Sequence, residues 1–357
     1  MLSAESGDVM GEAEDIDARV AGWLADWPAP SRTGLAGMAE AGLLSVGVEG
    51  PRGYSTIART KETLNARTGL LGLSGAWGAR QMAARFFVGG FGTAEQRGTL
   101  LPRLTSGAEI LAVAISEPGI GAHPKHLATR AVAEGDRVRI TGEKTWVSNG
   151  PEASVFLVFA VTSDVGGRKQ FGAFLVPRDA PGLILKEMAA LHALRPAGHC
   201  GVSLMECVVP ASARLGPDGT AFAAMAMPFR DVEDAVGAPG LLGIFHFLLA
   251  RLANGATAAD ESLGGLAALV AVFGHAAYAP VHALDAGSDD AATLAGLRLL
   301  AVELLARFHA HRQAFLGPAD AALERALADL EVMLSVARGP RAIRQARLGA
   351  ALRASRG

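Results

Sequence analysis

The chain has 357 residues, of which 50% are hydrophobic and 19% charged, with a formal net charge of −2. That composition excludes a disordered chain and suits two or three packed domains. The charge balance excludes a broadly basic nucleic-acid binder. Two cysteines exclude a disulfide framework. The acidic start MLSAESGDVMGEAEDIDARV lacks a basic, then apolar leader, so a cytoplasmic location is the expectation.

Residues 1–110 read as an N-terminal helical domain. Apolar positions recur at helical spacing in LAGMAEAGLLSVGV and in GLLGLSGAWGARQMAARFFVGGF. Gly50-Pro51-Arg52-Gly53 marks a turn. Thr93 with Gln96 predicts a capping box at the head of TAEQRGTLLPRL. Residues 111–218 change character. RVRITGEKTWVSNG alternates apolar and polar residues, and VFLVFAVTS, FGAFLVPRD and GVSLMECVVP are short apolar runs with turn residues at their ends. They predict a middle β-barrel domain. Residues 219–357 return to long Ala/Leu segments, separated by Asn254-Gly255, by Asp285–Asp290 and by Gly317-Pro318, and predict a C-terminal four-helix bundle. Within it, Gly265 to Leu284 is nearly long enough to span a bilayer. His275, Pro280 and His282 make it a buried bundle helix instead, and no membrane partner is expected.

The stretch from Ile115 to Gly150 is more specific. ISEPGIGA and GEKTWVSNG, in that order and separated by a hairpin, resemble the paired middle-domain segments of the acyl-CoA dehydrogenases. EQRGTLLPRLTSGAEI before them and VVPASARLG after them are similar to the flanks of that domain, and the likeness runs from about residue 35 to about residue 250. The resemblance implies an α+β fold of helical domain, β-barrel and helical bundle. It also implies FAD as cofactor, an acyl-CoA substrate and an electron-transfer flavoprotein as acceptor. On its terms Val113, Ile115 and Ser116 supply one edge of the flavin site, with Gly121 and Ala122 following. Trp146, Val147 and Ser148 supply the other edge, Trp146 stacking beside the flavin. Outside that resemblance, Glu117-Pro118-Gly119 is a turn, Trp146 a strand aromatic and Ser148-Asn149-Gly150 a hairpin turn.

Enzymes of this family remove the α-proton of a thioester with a glutamate and pass a β-hydride to flavin N5. A minority, such as the isovaleryl-CoA dehydrogenases, carry that glutamate on the first helix of the last domain. The resemblance places it at Glu233 in Arg230-Asp231-Val232-Glu233-Asp234, and places Asp231 and Asp234 beside the CoA arm. Read from the residues alone, this is also a solvated acidic patch near a helix N-terminus. The sequence departs from the family pattern in three places. The family arginine after the glutamate is Asp234. The Ser-Asp after Gly121 is Ala122-His123. The Arg-x-x-Phe-Gly segment that grips FAD pyrophosphate is Val270-Ala271-Val272-Phe273-Gly274, and the later Gln-x-x-Gly-Gly segment has no counterpart.

Three readings therefore stand: an FAD-dependent acyl-CoA dehydrogenase, a non-catalytic or half-site subunit completed by a second dehydrogenase-like chain, or a flavin-dependent monooxygenase of the same fold. His123 with His126, and His199-Cys200 with Cys207, lack a four-ligand metal pattern, so no metal is expected. Arg338, Arg341, Arg344 and Arg347 recur every third residue, as on a solvated or subunit-facing helix stripe. No Ser-His-Asp order or phosphate-binding P-loop is present.

Overall fold

The computed structural model describes residues 15–27, 35, 37–188, 193–255, 260–314, 320–336 and 338–354. Helices come first: α1 (15–26), α2 (Gly53–Thr68), α3 (Leu71–Met82) and α4 (Ala94–Thr105). A π-helical turn, Ala83–Gly89, extends α3. The expected capping box heads α4: the Thr93 hydroxyl accepts from the Gln96 N–H, and the Gln96 side chain accepts from the Thr93 N–H.

The helix expected across LAGMAEAGLLSVGV is absent from its described residues, which form successive turns. Gly37, Gly42 and Gly47 sit at φ of +76°, +68° and +69°, a left-handed backbone that ends any helix every fifth residue. Met38, Leu43, Leu44, Val46 and Val48 are still buried. The carbonyls this segment cannot pair internally are met by α3. Trp77 Nε1 donates to Leu43 at 3.0 Å, and Gln81 Nε2 donates to Leu44 and Val46 at 3.0 and 2.8 Å.

Eight strands follow: β1 (Leu111–Ala114), β2 (Arg130–Glu134), β3 (Arg137–Ser148), β4 (Val155–Val165), β5 (Arg168–Pro177), β6 (Leu183–Glu187), β7 (His199–Pro210) and β8 (Arg214–Leu215). The hydrogen-bonded order is β6-β7-β3-β2-β4-β5-β8, with β1 parallel beside β4. β4 is apolar from Val155 to Val161 because both faces are covered there. Phe156, Val158 and Ala160 enter the core of the β unit, whereas Leu157, Phe159 and Val161 face the helices.

A π-helical turn, Phe222–Ala226, leads into α5 (Met227–Gly255), followed by α6 (Asp260–Ala277), α7 (Ala279–Asp285), α8 (Ala291–Ala314), α9 (Ala321–Ser335) and α10 (Arg338–Ala354). Apolar faces of α5, α6, α8 and α9 close one core, the four-helix bundle. Gly317-Pro318 lies outside the described residues. The apolar run Gly265–Leu284 does not form one buried helix. It breaks at Tyr278 into α6 and α7, and α6 buries only the stripe Leu266, Val270, Phe273 and Ala277. Hydropathy alone overstated its burial, because alanine and glycine are tolerated on either face of a helix. Asp285 at the end of α7 caps α2 from 230 residues away, accepting from the N–H groups of Tyr54 and Ser55 at 3.0 and 2.9 Å.

One buried ion pair joins the two segments that carry the family resemblance. Lys144 on β3 is fully buried and donates to the Glu117 carboxylate at 2.8 Å and to the Ile115 carbonyl at 3.1 Å. Glu117 also accepts from the N–H groups of Ala128 and Thr129 at 2.7 and 2.9 Å. Burial pushes the Glu117 carboxyl up, but the Lys144 charge and these hydrogen bonds together hold it below the usual carboxylate range. Burial draws the Lys144 ammonium down to about 8, against the pull of Glu117. Removing one partner leaves a buried, unpaired charge, at a cost of about 3–5 kcal/mol. Lys144→Met should lower stability on that scale in urea unfolding followed by tryptophan fluorescence. Adding Glu117→Gln should recover part of the loss, since the unpaired charge then disappears.

Candidate active site

The Glu117–Lys144 pair sets two segments side by side. The Thr145 N–H donates to the Ser116 carbonyl at 2.9 Å, so residues 113–116 run against the end of β3. There β3 carries a bulge: its register on β7 slips between Lys144 and Val147. Trp146 sits in that bulge at φ +57° with 53% of its surface exposed, splayed out of the sheet instead of buried in it. Among the described residues, its N–H donates to the Met188 sulfur at 3.4 Å. Ser116 and Ala122 are partly accessible and Gly121, at φ +64°, is exposed. Val147 differs: its side chain is buried in the β core, so it can offer a cofactor only its backbone. Val113 and Ile115 are likewise partly buried against the helical core.

Beyond Trp146, the strand end opens on a cavity of about 290 Å³. Ser148 of β3 and His199 of β7 form one wall, α3 contributes Leu71 and Met82, and α8 contributes Leu294 and Leu297. The remaining wall is a single face of α5: Arg230, Glu233, Asp234, Gly237, Ala238 and Leu241. These positions follow the three- and four-residue steps that share one side of a helix. Glu233 therefore faces the cavity, twelve residues into a continuous helical run that starts at Thr220–Ala221. It is thus well inside the helix and not at its N-terminus, and its side chain is exposed to solvent. Water can reach its side chain through the cavity, yet the surrounding protein removes most bulk solvent. That desolvation raises its carboxyl to about 7, Asp234 adding to the rise while Arg230, Lys61 and Arg341 oppose it. Burial lowers the His199 imidazole below its usual value and favours its neutral form.

Lys61 of α2 also lines the cavity, unmarked by any feature of the sequence. A lone lysine in GYSTIARTKETLNART carries no motif; only the packing of α2 on α5 brings it to Glu233.

Asp234 lines the cavity and Asp231 is exposed beside it. Both are met by the arginine stripe of α10. Asp234 pairs with Arg341 at 2.9 Å and with Arg344 at 3.1 Å, and Asp231 pairs with Arg344. Arg341 and Arg344 are thus engaged within the chain, while Arg347 is exposed. The anion at position 234 is answered by a cation from the last helix, and Arg341 itself lines the cavity. Among the described residues, no cluster of three His, Cys, Asp or Glu side chains could hold a metal ion.

Residues 112–207 match the family model for the acyl-CoA dehydrogenase middle domain. The chain is 36% identical over 132 residues to the mitochondrial short-chain specific acyl-CoA dehydrogenase of Homo sapiens, which covers 37% of this chain and 32% of that protein. It is 30% identical over 199 residues to the mitochondrial isovaleryl-CoA dehydrogenase of Pongo abelii, covering 55% of this chain and 46% of that protein. These matches make the chain similar to the acyl-CoA dehydrogenases over its middle domain and the segments beside it. The matched segments span a third to under half the length of these curated relatives. The fold likeness extends much further. A glutaryl-CoA dehydrogenase of Mycobacterium smegmatis, solved in complex with FADH2, superposes with a TM-score of 0.81 over 95% of this chain and 94% of its own, at 21% identity.

Against an FAD of this family, the two ends of the site differ. At the ring end, the exposed Trp146, its weakly engaged N–H and the accessible Ser116 and Ser148 leave room and donors for a planar cofactor. At the diphosphate end, Val270 stands where the family motif has its arginine. It is 1% exposed, inside the bundle core, and supplies no charge.

The charge arrangement makes two predictions. A carboxyl that keeps its proton to about pH 7 in the fold, against 4.5 ordinarily, makes the folded state bind more protons than the unfolded one between those values. Stability contributed by Glu233 therefore falls as pH rises through that window. The melting temperature of Glu233→Gln relative to wild type should grow between about pH 5 and about pH 8. Separately, Asp234→Ala should remove the carboxylate that Arg341 and Arg344 share, leaving Arg344 its pairing with Asp231. Amide hydrogen exchange in residues 338–354 should then speed up several-fold, with the β unit unchanged.

Proposed function

We propose that the chain binds FAD and carries out α,β-dehydrogenation of an acyl-CoA thioester, with Glu233 as the base. One observation carries this reading: a carboxylate tuned to about 7 faces the same cavity as Ser148, at the end of the bulged strand that presents Trp146. A general base works best when its pKa lies near the operating pH. Leu71, Met82, Leu241, Leu294 and Leu297 give the acyl chain an apolar lining that excludes water. Glu233 takes the α-proton onto its carboxylate, and Arg230 and Lys61 keep that carboxylate available. Trp146 covers the cofactor ring, and backbone groups of residues 113–116 and 146–148 hold its edge. Bound FAD supplies the acceptor for the β-hydride, and an electron-transfer flavoprotein then draws off the electrons.

The core position of Val270 supports a second reading, in which a second dehydrogenase-like chain supplies the diphosphate contacts and this chain is one half of the site. An absorption spectrum of the chain purified alone with excess FAD separates the two. A stoichiometric flavin spectrum supports self-sufficiency, and a colourless protein supports the half-site. In whichever assembly binds FAD, Glu233→Gln should keep the flavin and lose turnover of acyl-CoA by about 10²–10⁴-fold. Wild-type kcat/KM should rise with pH through about 7. Turnover that survives Glu233→Gln would remove Glu233 as base and favour a monooxygenase-type use of the flavin.

A further inference from the structure

Lys61 has no assigned role, yet the fold makes special room for it. Its side chain lies between two helices at positions where both carry glycine. A Cβ on Gly78 of α3 would stand 2.9 Å from Lys61 Cδ and 3.3 Å from its Nζ. A Cβ on Gly240 of α5 would stand 3.4 Å from both Cβ and Cε of Lys61. Gly240 also fixes the register of the two helices, because its carbonyl accepts from Asn65 Nδ2 at 2.8 Å. Glu233, Gly237 and Gly240 share one face of α5. The lysine stem therefore lies on a glycine-floored face of α5, and its ammonium opens on the cavity that Glu233 lines. Among the described residues that ammonium makes no direct hydrogen bond or ion pair. A cation placed in a desolvated cavity without a direct partner is costly unless it acts on something within reach.

The other charged groups around Glu233 are engaged or fixed. Asp234 is held by Arg341 and Arg344. Arg298 of α8 donates to the Leu334 and Met333 carbonyls. His199 of β7 is drawn towards its neutral form by burial. Arg230, three residues before Glu233, is a permanent cation on the same helix. Lys61 is the cation reaching the carboxylate from across the helix interface.

We propose that Lys61 is a positioning residue that sets the ionisation of Glu233, its ammonium holding the carboxylate in the proton-accepting form within the cavity. The catalytic meaning of this rests on Glu233 being the base; the ionisation itself does not. The electrostatics agree in direction on both sides. Lys61 lowers the Glu233 carboxyl, and Glu233 raises a lysine that burial has brought down to about 8. Removing the cation raises the affinity of Glu233 for its proton. The loss is greatest near neutral pH and vanishes well above it.

The test is a ¹³C-NMR titration of the full chain labelled with [¹³C]glutamate, the Glu233 signal being the one lost on Glu233→Gln in each background. In Lys61→Met and Lys61→Gln its midpoint should move up by about one pH unit or more. In Lys61→Arg it should stay at or below the wild-type value. Equal midpoints in the uncharged variants and wild type would overturn the proposal. A merely space-filling lysine would change the melting temperature and leave the midpoint in place. The kinetic arm uses the FAD-loaded assembly. The acid limb of kcat/KM should shift in parallel, with a several-fold loss near pH 7 that disappears near pH 9. If Glu233→Gln is as active as wild type, the base reading fails while the NMR midpoint still decides the role of Lys61.

Discussion

A fully buried ammonium on β3 can exist here only because a carboxylate meets it. Lys144 and Glu117 lie beneath the segments they connect, and two backbone N–H groups complete the carboxylate's shell. Either charge alone would be driven out of the fold or neutralised. Satisfied together, they bring Ile115–Ser116 against Thr145 and fix where β3 leaves its regular pairing with β7. The bulge that follows turns Trp146 outward and sends Ser148 into the cavity wall. The geometry of the candidate site thus descends from one desolvated pair.

The second organising element is α5, which divides its sides among three environments. Phe229, Val232 and Val236 enter the core shared with the N-terminal helices, and Phe245 and Leu248 enter the bundle core. The face between them, from Arg230 to Leu241, has no packing partner and becomes the cavity wall. Charged groups on that face lie close enough to one another to be balanced locally. Asp234 is balanced by Arg341 and Arg344 from the far end of the chain, and Glu233 by Arg230 and Lys61. The inversion of charge at position 234 relative to the family pattern is therefore no isolated loss. A guanidinium still reaches this part of the cavity, delivered by another helix.

Which parts of this were legible in the sequence follows from how local their causes are. The Thr93–Gln96 cap, the alternation of β3 and the apolar run of β4 depend on neighbours within a few residues, and the structure has them. Glu233 and the segments around Ser116 and Trp146 were reachable through spacing shared with a family. LAGMAEAGLLSVGV misled because its apolar spacing is helical while its glycines, five residues apart, adopt left-handed backbone. The cap that Asp285 gives α2, the reach of Arg341 to Asp234 and the approach of Lys61 to Glu233 join residues more than a hundred positions apart. No local pattern announces such contacts; they exist only once the helices are packed.

Val270 shows the same logic working against a function. On α6 the buried stripe is Leu266, Val270, Phe273 and Ala277, and a guanidinium at 270 would have to be desolvated among Phe245, Phe308 and their neighbours. Nothing in that core could pair with it, so the valine is what the four-helix packing requires. A diphosphate, by contrast, needs charge-assisted donors held at its surface. One position cannot serve both demands, and here packing has taken it. What the described residues do bring together is Glu233, the cations Arg230 and Lys61, and an apolar chamber. Charge-assisted contacts to a diphosphate would have to come from groups other than Val270, whether elsewhere in this chain or on a second one.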